Sequence, residues 1–534
     1  MRPYFIFVTG GMSGLGKGIV AASVGKILLD IGYRVSVVKI DPYLNIDAGT
    51  MSPYEHGEVF VTKDGYESDQ DLGLYERFLN KDMTKDNNIT SGKVYKNVLE
   101  NERQGRYLGK TVQMIPNVTK EIKDEIFLVT EKDKPHFCIV EIGGTVGDIE
   151  SSVFLEAAKE ISLKNPSCFM HVTFVPTLTL NEQKTKLSQH SIRELRENGI
   201  EPDFIFARSK EKLSNEARKK ISIFSNIPES NIISAYDVDD ICTIPINFAQ
   251  QNLDVLIAKK FNLRKKKARL SLWKNAIERK KRAKNNIKIA IIGKYSRLKD
   301  AYVSIEQAFK HCEYSIPVNI ELDWIEAEDI RNCKLKEYSG ILVPGGFGNR
   351  GVEEKIAAIK CARENNIPYL GLCLGFQLAC VEFARNVLRL KDSNSTEFNE
   401  RTRNPIIHIL PYQNLNKMGG TMRLGEKPCI IKIGTLAEKI YKNKLSRNNE
   451  IEERHRHRYE FNNSYTDKFQ DAGAIFSGVS KESLMEIFEL KAENHGFFIA
   501  TQFHPEFKSR LENPAPLFLA FSKACLDYKR KKLT

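Results

Sequence analysis

The sequence predicts an α/β chain made of two doubly wound parallel-sheet domains, and three observations predict it. Short apolar runs of strand length recur along the chain. Longer amphipathic stretches separate them, and the rhythm stops once, in a basic segment, before resuming. In the N-terminal half the apolar runs are Tyr4–Val8, Val35–Ile40, Phe137–Ile142, His171–Val175 and Phe204–Ala207. Near-continuous apolar strands are the mark of a parallel sheet covered on both faces. From Arg264 to Asn286 lysine and arginine dominate, with Trp273 and Ile277 about one helical turn apart, which reads as a helical linker. A second series follows at Ile287–Gly293, Gly340–Pro344 and Tyr369–Cys373. The expected division is therefore residues 1–264, a basic helical linker at 265–286, and residues 287–534. Ser393–Arg403 reads as a polar loop, and the basic end Tyr528–Thr534 as frayed.

Composition narrows the class of protein. A chain of 534 residues fits roughly three to four domain-sized units. The net charge of +13 has two readings, a lysine-rich solvated surface or a polyanionic partner. No RNP-like string or zinc-finger spacing accompanies it, so nucleic acid is not expected, whereas nucleoside triphosphates suit the charge. The ten cysteines are scattered without a CxxC pair, as expected of reduced thiols in a cytoplasmic protein. The chain enters a strand at once, and no run approaches the ~20 apolar residues that span a bilayer. A soluble protein without a membrane partner is expected.

Directly after the first strand comes Gly10-Gly-Met-Ser-Gly-Leu-Gly-Lys-Gly18, which from Gly11 has the G-x4-G-K spacing of a phosphate-cradling loop. Glycines let successive N–H groups turn onto phosphate, and the following helix presents its positive end. Lys17 reaches the terminal phosphates in such a loop. Gly18 stands where a Ser or Thr commonly holds Mg²⁺, so either the metal is held elsewhere or the match is accidental. Carboxylates are the candidates, because Mg²⁺ takes hard oxygens. Glu141 ends an apolar strand, facing the loop side of a parallel sheet, and Asp71 in Asp69-Gln-Asp-Leu-Gly73 is the second. Each acid taken alone is more often a surface or capping residue.

The C-terminal half carries a different chemistry. Gly371-Leu-Cys-Leu-Gly375 follows an apolar strand and has the form of a nucleophile elbow bearing a thiol. The start of the next helix favours the thiolate of Cys373. Pro344-Gly-Gly-Phe-Gly348 follows another strand and offers free N–H groups for an oxyanion. Gln502-Phe-His-Pro-Glu506 supplies His504 as a base and Glu506 as the acid that orients it. A buried inert cysteine is the plainer alternative for Cys373, and the other two pieces argue against it.

Cys373, His504 and Glu506 in these contexts resemble the class I glutamine amidotransferases. Further strings resemble the CTP synthase family: Lys39–Tyr43, Gly49–Val61, Asp71–Arg77, Glu141–Glu150, Lys184–Lys186, Asn394–Phe398, Gly419–Gly425 and Glu453–Tyr459. The resemblance covers nearly the whole chain and implies a P-loop amidoligase domain followed by a glutamine amidotransferase domain. It implies that ATP phosphorylates the 4-oxygen of UTP and that ammonia freed from L-glutamine at Cys373 replaces the phosphate, giving CTP. For ATP it implies Ser13, Gly14, Leu15, Gly16, Lys17, Gly18, Lys39, Asp71, Arg208, Asp237 and Val238. For UTP or CTP it implies Ser13, Asp148, Ile149, Glu150, Lys184, Thr185, Lys186, Leu187, Ser188, Gln189 and Lys220. For glutamine it implies Gly346, Leu374, Gly375, Phe376, Gln377, Glu397 and Arg458, with the N–H groups of Gly346 and Leu374 on the oxyanion. Mg²⁺ is implied on Asp71 and Glu141, GTP as activator, CTP as feedback inhibitor, and a homotetramer able to form filaments.

The chain departs from the family pattern in places. The phosphate loop is one residue short, and the loop Thr177–Asn181 is shortened. Leu187 replaces a proline, Asn117 a histidine, Arg106 an aspartate and Phe376 a methionine. A rival is another glutamine-dependent ligase with a P-loop half, of the cobyric acid synthetase type, and the Lys184–Lys186 and Gly49–Val61 strings speak against it. An amidotransferase relic kept for scaffolding is a rival of a different class, opposed by the intact Cys373, His504 and Glu506.

Overall fold

Every strand expected from the apolar runs forms in the computed structural model, which describes residues 2–178, 182–294, 299–410 and 421–533. Three features of the sequence reading touch residues outside those limits: the tip of the loop Thr177–Asn181, Gly419 and Gly420 of the Gly419–Gly425 string, and Thr534.

The chain forms two compact units, one of residues 1–48 and 74–275, the other of residues 49–73 and 276–534. In the first, seven parallel strands lie in the order Asn88–Thr90, Val35–Asp41, Phe137–Ile142, Tyr4–Gly10, Ser167–Phe174, Phe204–Ser209 and Ile232–Tyr236. Strands are added on both sides of Tyr4–Gly10, which is double winding: on one side the order follows the chain outward, and on the other Phe137–Ile142 is inserted between Tyr4–Gly10 and Val35–Asp41. Helices cover both faces, so Val35–Asp41 and Phe137–Ile142 are buried at every position, which explains their mainly apolar character. The charges they do carry, Lys39, Asp41 and Glu141, stand near their C-terminal ends, where Lys39 pairs with both acids. Phe5, Phe7, Val140, Phe154 and Ile122 belong to one of the resulting cores.

The second unit holds a nine-stranded sheet. Five parallel strands, Val318–Glu326, Asn285–Gly293, Gly340–Val343, Tyr369–Leu372 and Phe498–Thr501, form the expected half. Four antiparallel strands extend it: Met485–Leu490, Ala474–Ser480, Arg423–Ile431 and Glu450–His457. Ser393–Ser395, inside the expected polar loop, pairs with Asn404–Ile409 in a small separate sheet.

The basic segment is helical only over Ser271–Lys281. Trp273 is fully buried in the first unit, its ring 5.0 Å from that of Phe78 and 5.2 Å from the Lys26 ammonium. The basic C-terminal end continues the helix Pro516–Leu533 rather than fraying, because Tyr528 packs on the core of the second unit. Residues 49–73 bring the short hairpin Phe60–Val61 and Glu67–Ser68 to the second unit. There Arg454 donates to the Val61 carbonyl at 3.0 Å and Arg456 pairs with Glu67 at 2.9 Å. No helix among the described residues is long and apolar enough to cross a membrane.

Candidate active site

In the second unit the strand Tyr369–Leu372 ends at Cys373 and the helix Leu374–Asn386 begins at once. The reversal is made by Cys373 itself, with φ 51° and ψ −96°, a conformation L-residues avoid. Gly375 is required next to it, because a Cβ there would lie 2.2 Å from the Val343 carbonyl oxygen. The turn therefore presses onto the neighbouring strand and holds the thiol at the sheet's C-terminal edge. Gln502 donates toward the sulfur at 3.6 Å, and the sulfur lies 3.7 Å from the Arg456 carbonyl.

His504 closes on the thiol from the end of the adjacent strand Phe498–Thr501. Its backbone N–H donates to the Arg454 carbonyl at 2.7 Å, and its Nδ1 lies 2.6 Å from Glu506 Oε1. Burial by itself lowers the proton affinity of His504, but the Glu506 carboxylate and the hydrogen-bonded Cys373 outweigh it and raise the ring to about 10. The imidazole thus holds a proton across the neutral range, aimed at sulfur on one side and anchored by a carboxylate on the other. Gly345 leaves room for it: a Cβ there would sit 2.8 Å from His504 Cε1.

A cavity of about 620 Å³ opens onto these groups, lined by Gly345, Gly346, Cys373, Glu397, Arg458 and His504 among others. That volume suits a small polar substrate. Glu397 accepts from the Gly348 N–H at 2.9 Å, and burial pushes its carboxyl up, against the pull of that bond and of Lys294. Arg458 donates to Thr421 at 2.7 Å. One acid and one guanidinium in a cavity with a thiol can grip the two charged ends of an α-amino acid. Of the other residues expected here, Leu374, Gly375 and Phe376 form the first turn of the helix. Gln377 is buried behind them, donating to the Tyr459 carbonyl at 2.9 Å.

Gln502, Gly345 and the wall formed by Gly49, Thr50, Met51, Glu58 and Val59 lie inside strings singled out above, but none of them was expected individually at this site. Gln502 stands two residues before His504 and was within reach of the motif. His455 and His457 are both buried and pushed well below the ordinary histidine range by burial and then by Arg423, whose guanidinium lies 3.1 Å from His455. Among the described residues no group of three or more His, Cys, Asp or Glu is placed to hold a metal by itself.

In the first unit the phosphate loop joins the strand Tyr4–Gly10 to the helix Lys17–Asp30. Gly14 and Gly16 take φ values of 74° and 92°, and Ser13 is exposed between strand and helix. Lys17 folds back, donating to Gly144 O at 2.8 Å and Met12 O at 3.2 Å. Gly14, Leu15 and Gly16 share a pocket with Arg208 and Tyr236, and Arg208 pairs with Asp237 at 2.6 Å, next to Val238. Lys39 is buried between Asp41, at 3.3 Å, and Glu141, at 3.6 Å, and Tyr75 donates to Glu141. Asp71 falls in the segment that groups with the second unit.

The residues that the resemblance implies for UTP or CTP, here called the pyrimidine string, are split by their surroundings. Lys184 pairs with Glu182 at 2.6 Å, Thr185 precedes the helix Lys186–Glu197, and Gln189 donates back to Thr185 at 3.0 Å. Leu187 is exposed, whereas Ser188 is fully buried and donates to Thr173 at 2.9 Å. Asp148 precedes the helix Ile149–Ser162, at whose start Ile149 and Glu150 are exposed. Lys220 pairs with Glu216 at 2.6 Å.

Known proteins match this layout half by half. Residues 4–263 match the family described as CTP synthase N-terminus, and residues 297–524 match glutamine amidotransferase class-I. A CTP synthase of Pyrococcus abyssi is 52% identical over 539 residues, covering 99% of each chain. The chain belongs to the CTP synthase family. The CTP synthase of Clostridium beijerinckii is 47% identical over 543 residues and the whole of both chains. A solved glutaminase domain of a Trypanosoma brucei CTP synthase, with bound acivicin, is 38% identical; it covers 45% of this chain and 94% of its own, with a TM-score of 0.42. Membership of the CTP synthase family makes the chain a ligase with a glutamine amidotransferase domain, and glutamine its substrate.

Proposed function

We propose that the chain makes CTP from UTP in two half-reactions, with residues 1–264 as the synthetase domain, 265–286 as linker and 287–534 as the amidotransferase domain. The observation that carries this reading is the Cys373–His504–Glu506 array opening on a cavity with Glu397 and Arg458. Cys373 attacks the side-chain amide of glutamine while the N–H groups of Gly346 and Leu374 take the developing oxyanion. His504, protonated, delivers its proton to the departing ammonia. Water then releases glutamate from the thioester, with His504 taking the water's proton. Glu506 keeps the ring oriented throughout.

In the synthetase half, the loop Gly11–Gly18 and Lys17 hold the ATP phosphates, and Arg208 and Asp237 the adenosine. Asp148–Glu150, Lys184–Gln189 and Lys220 hold UTP, whose 4-oxygen takes the γ-phosphoryl group before ammonia displaces it. Mg²⁺, when bound, neutralises phosphate charge. The carboxylate oxygens of Glu141 and Asp41, which share Lys39, are hard donors of the kind it takes, without thiol or imidazole. Since no cluster among the described residues suffices by itself, phosphate oxygens and water would complete its ligands, and Asp71 is the second ligand the family pattern implies. GTP activation, CTP inhibition, a homotetramer able to form filaments and a cytoplasmic setting belong to the same reading.

The test is purified protein with UTP, ATP, Mg²⁺ and either glutamine or ammonium, followed by CTP formation with and without GTP. Cys373→Ala is expected to abolish synthesis from glutamine and leave synthesis from ammonium within about twofold. Loss of both would end the proposed division of labour.

A further inference from the structure

His171 takes no part in the chemistry above, yet it occupies a singular place in the first unit. It lies in the strand Ser167–Phe174 and is completely buried. Its Nδ1 is 2.8 Å from Thr9 Oγ1 and its Nε2 is 2.7 Å from Ser191 Oγ. Thr9 is the last residue but one of the strand that delivers the phosphate loop. Ser191 lies on the helix Lys186–Glu197, whose first turn carries the pyrimidine string.

The loop and the helix also touch directly at the same point. A Cβ on Gly11 would lie 2.1 Å from Ser191 Oγ, so the start of the loop is packed against that hydroxyl, and the Gly11 N–H is fixed to Val172 O at 3.0 Å. Burial, and after it the nearby Lys17 charge, holds the His171 ring down to about 3, so it stays neutral at any working pH. A neutral imidazole has one donor and one acceptor, and hydroxyls can serve as either. Thr9, His171 and Ser191 therefore form one uninterrupted chain of hydrogen bonds.

We propose that His171 is a positioning residue that fixes the spacing between the phosphate loop and the helix of the pyrimidine string, through Thr9 on one side and Ser191 on the other. Binding of ATP and UTP together depends on that spacing, because a loop and a helix already held at the right separation spare each nucleotide the cost of ordering them. The inference rests on the reading of the first unit as an ATP- and UTP-binding synthetase.

The experiment uses the full chain with ammonium as nitrogen source, so the thiol centre is bypassed. Ser191→Ala is expected to raise KM for both UTP and ATP about fivefold, with kcat within about twofold, the size of one neutral hydrogen bond. His171→Asn keeps the Thr9 contact and cuts the Ser191 one, so it is expected to match Ser191→Ala. The double variant is expected to be no worse than either, since one chain is cut once. Glutamine hydrolysis is expected to be unchanged in all three. KM values within twofold of the parent, a loss in kcat alone, or additive losses would overturn the inference. Should the parent make no CTP from ammonium, the functional reading fails; ATP affinity of Ser191→Ala by calorimetry then decides the tie by itself, an unchanged value refuting it.

Discussion

Gly345→Ala is a direct perturbation of the thiol centre, because the atom that the added methyl meets most closely belongs to the catalytic ring. Its carbon would lie 2.8 Å from His504 Cε1 and 3.5 Å from Cys373 Cβ. Carbon pairs settle at about 3.5–4.0 Å, so the ring has to retreat by about 0.7 Å or more. It has little room, with Glu506 at 2.6 Å, its own N–H tied to Arg454 at 2.7 Å and the Phe507 ring stacked at a centroid distance of 5.1 Å. A displacement of about 1 Å at a reacting group costs about 100-fold, or ~2.7 kcal/mol of barrier. Synthesis from glutamine is therefore expected to fall about 100-fold, while synthesis from ammonium stays within about twofold. The assay is CTP formation from the two nitrogen sources on one preparation. A variant that retains a third or more of its glutamine-dependent rate would refute the geometry argued for His504.

Glu506→Gln removes the largest influence that lifts His504. A raised folded-state value adds stability fully present below the ordinary 6.5 and lost as pH rises through about 10. The parent's melting temperature is therefore expected to decline across that window from this pair, and the decline to flatten in the variant; an unchanged slope would tell against the pair. Lys17→Ala is expected to stop CTP formation from either nitrogen source while glutamine hydrolysis persists, and near-normal synthesis would show the loop to be misread. Trp273→Ala empties a fully buried site against Phe78 and Lys26, and is expected to cost ~3–5 kcal/mol in denaturant unfolding. A change below 1 kcal/mol would mean the aromatic packing is not holding the segment.

Most of the parallel strands were legible because both faces are covered, which forces a mainly apolar composition on strands such as Tyr4–Gly10 and Phe137–Ile142. The antiparallel half was not. Glu450–His457 reads Glu-Ile-Glu-Glu-Arg-His-Arg-His, yet Glu453, Arg454, His455 and His457 are all buried. Their neighbours are distant in sequence: Arg423 and Glu486 for His455, Tyr441 for Glu453 and the hairpin carbonyl of Val61 for Arg454. Partners of that kind leave no periodic trace. The thiol centre was legible because Cys373, His504 and Glu506 each sit in a short string with a chemical reason. Gln502 and Gly345 act through volume and direction, and the wall from residues 49–59 reaches its cavity through tertiary packing alone.

At Cys373 the backbone asks for glycine and the chemistry forbids it. A φ of 51° with ψ −96° costs a residue bearing a β-carbon about 1–3 kcal/mol, which the surrounding close packing absorbs. An inert replacement such as Cys373→Gly thus relaxes the fold at the very residue that defines it as an enzyme. Any search that ranks variants of this chain by thermal tolerance will be drawn toward silencing its own nucleophile, and the reactive sulfur survives there only because activity is selected along with endurance.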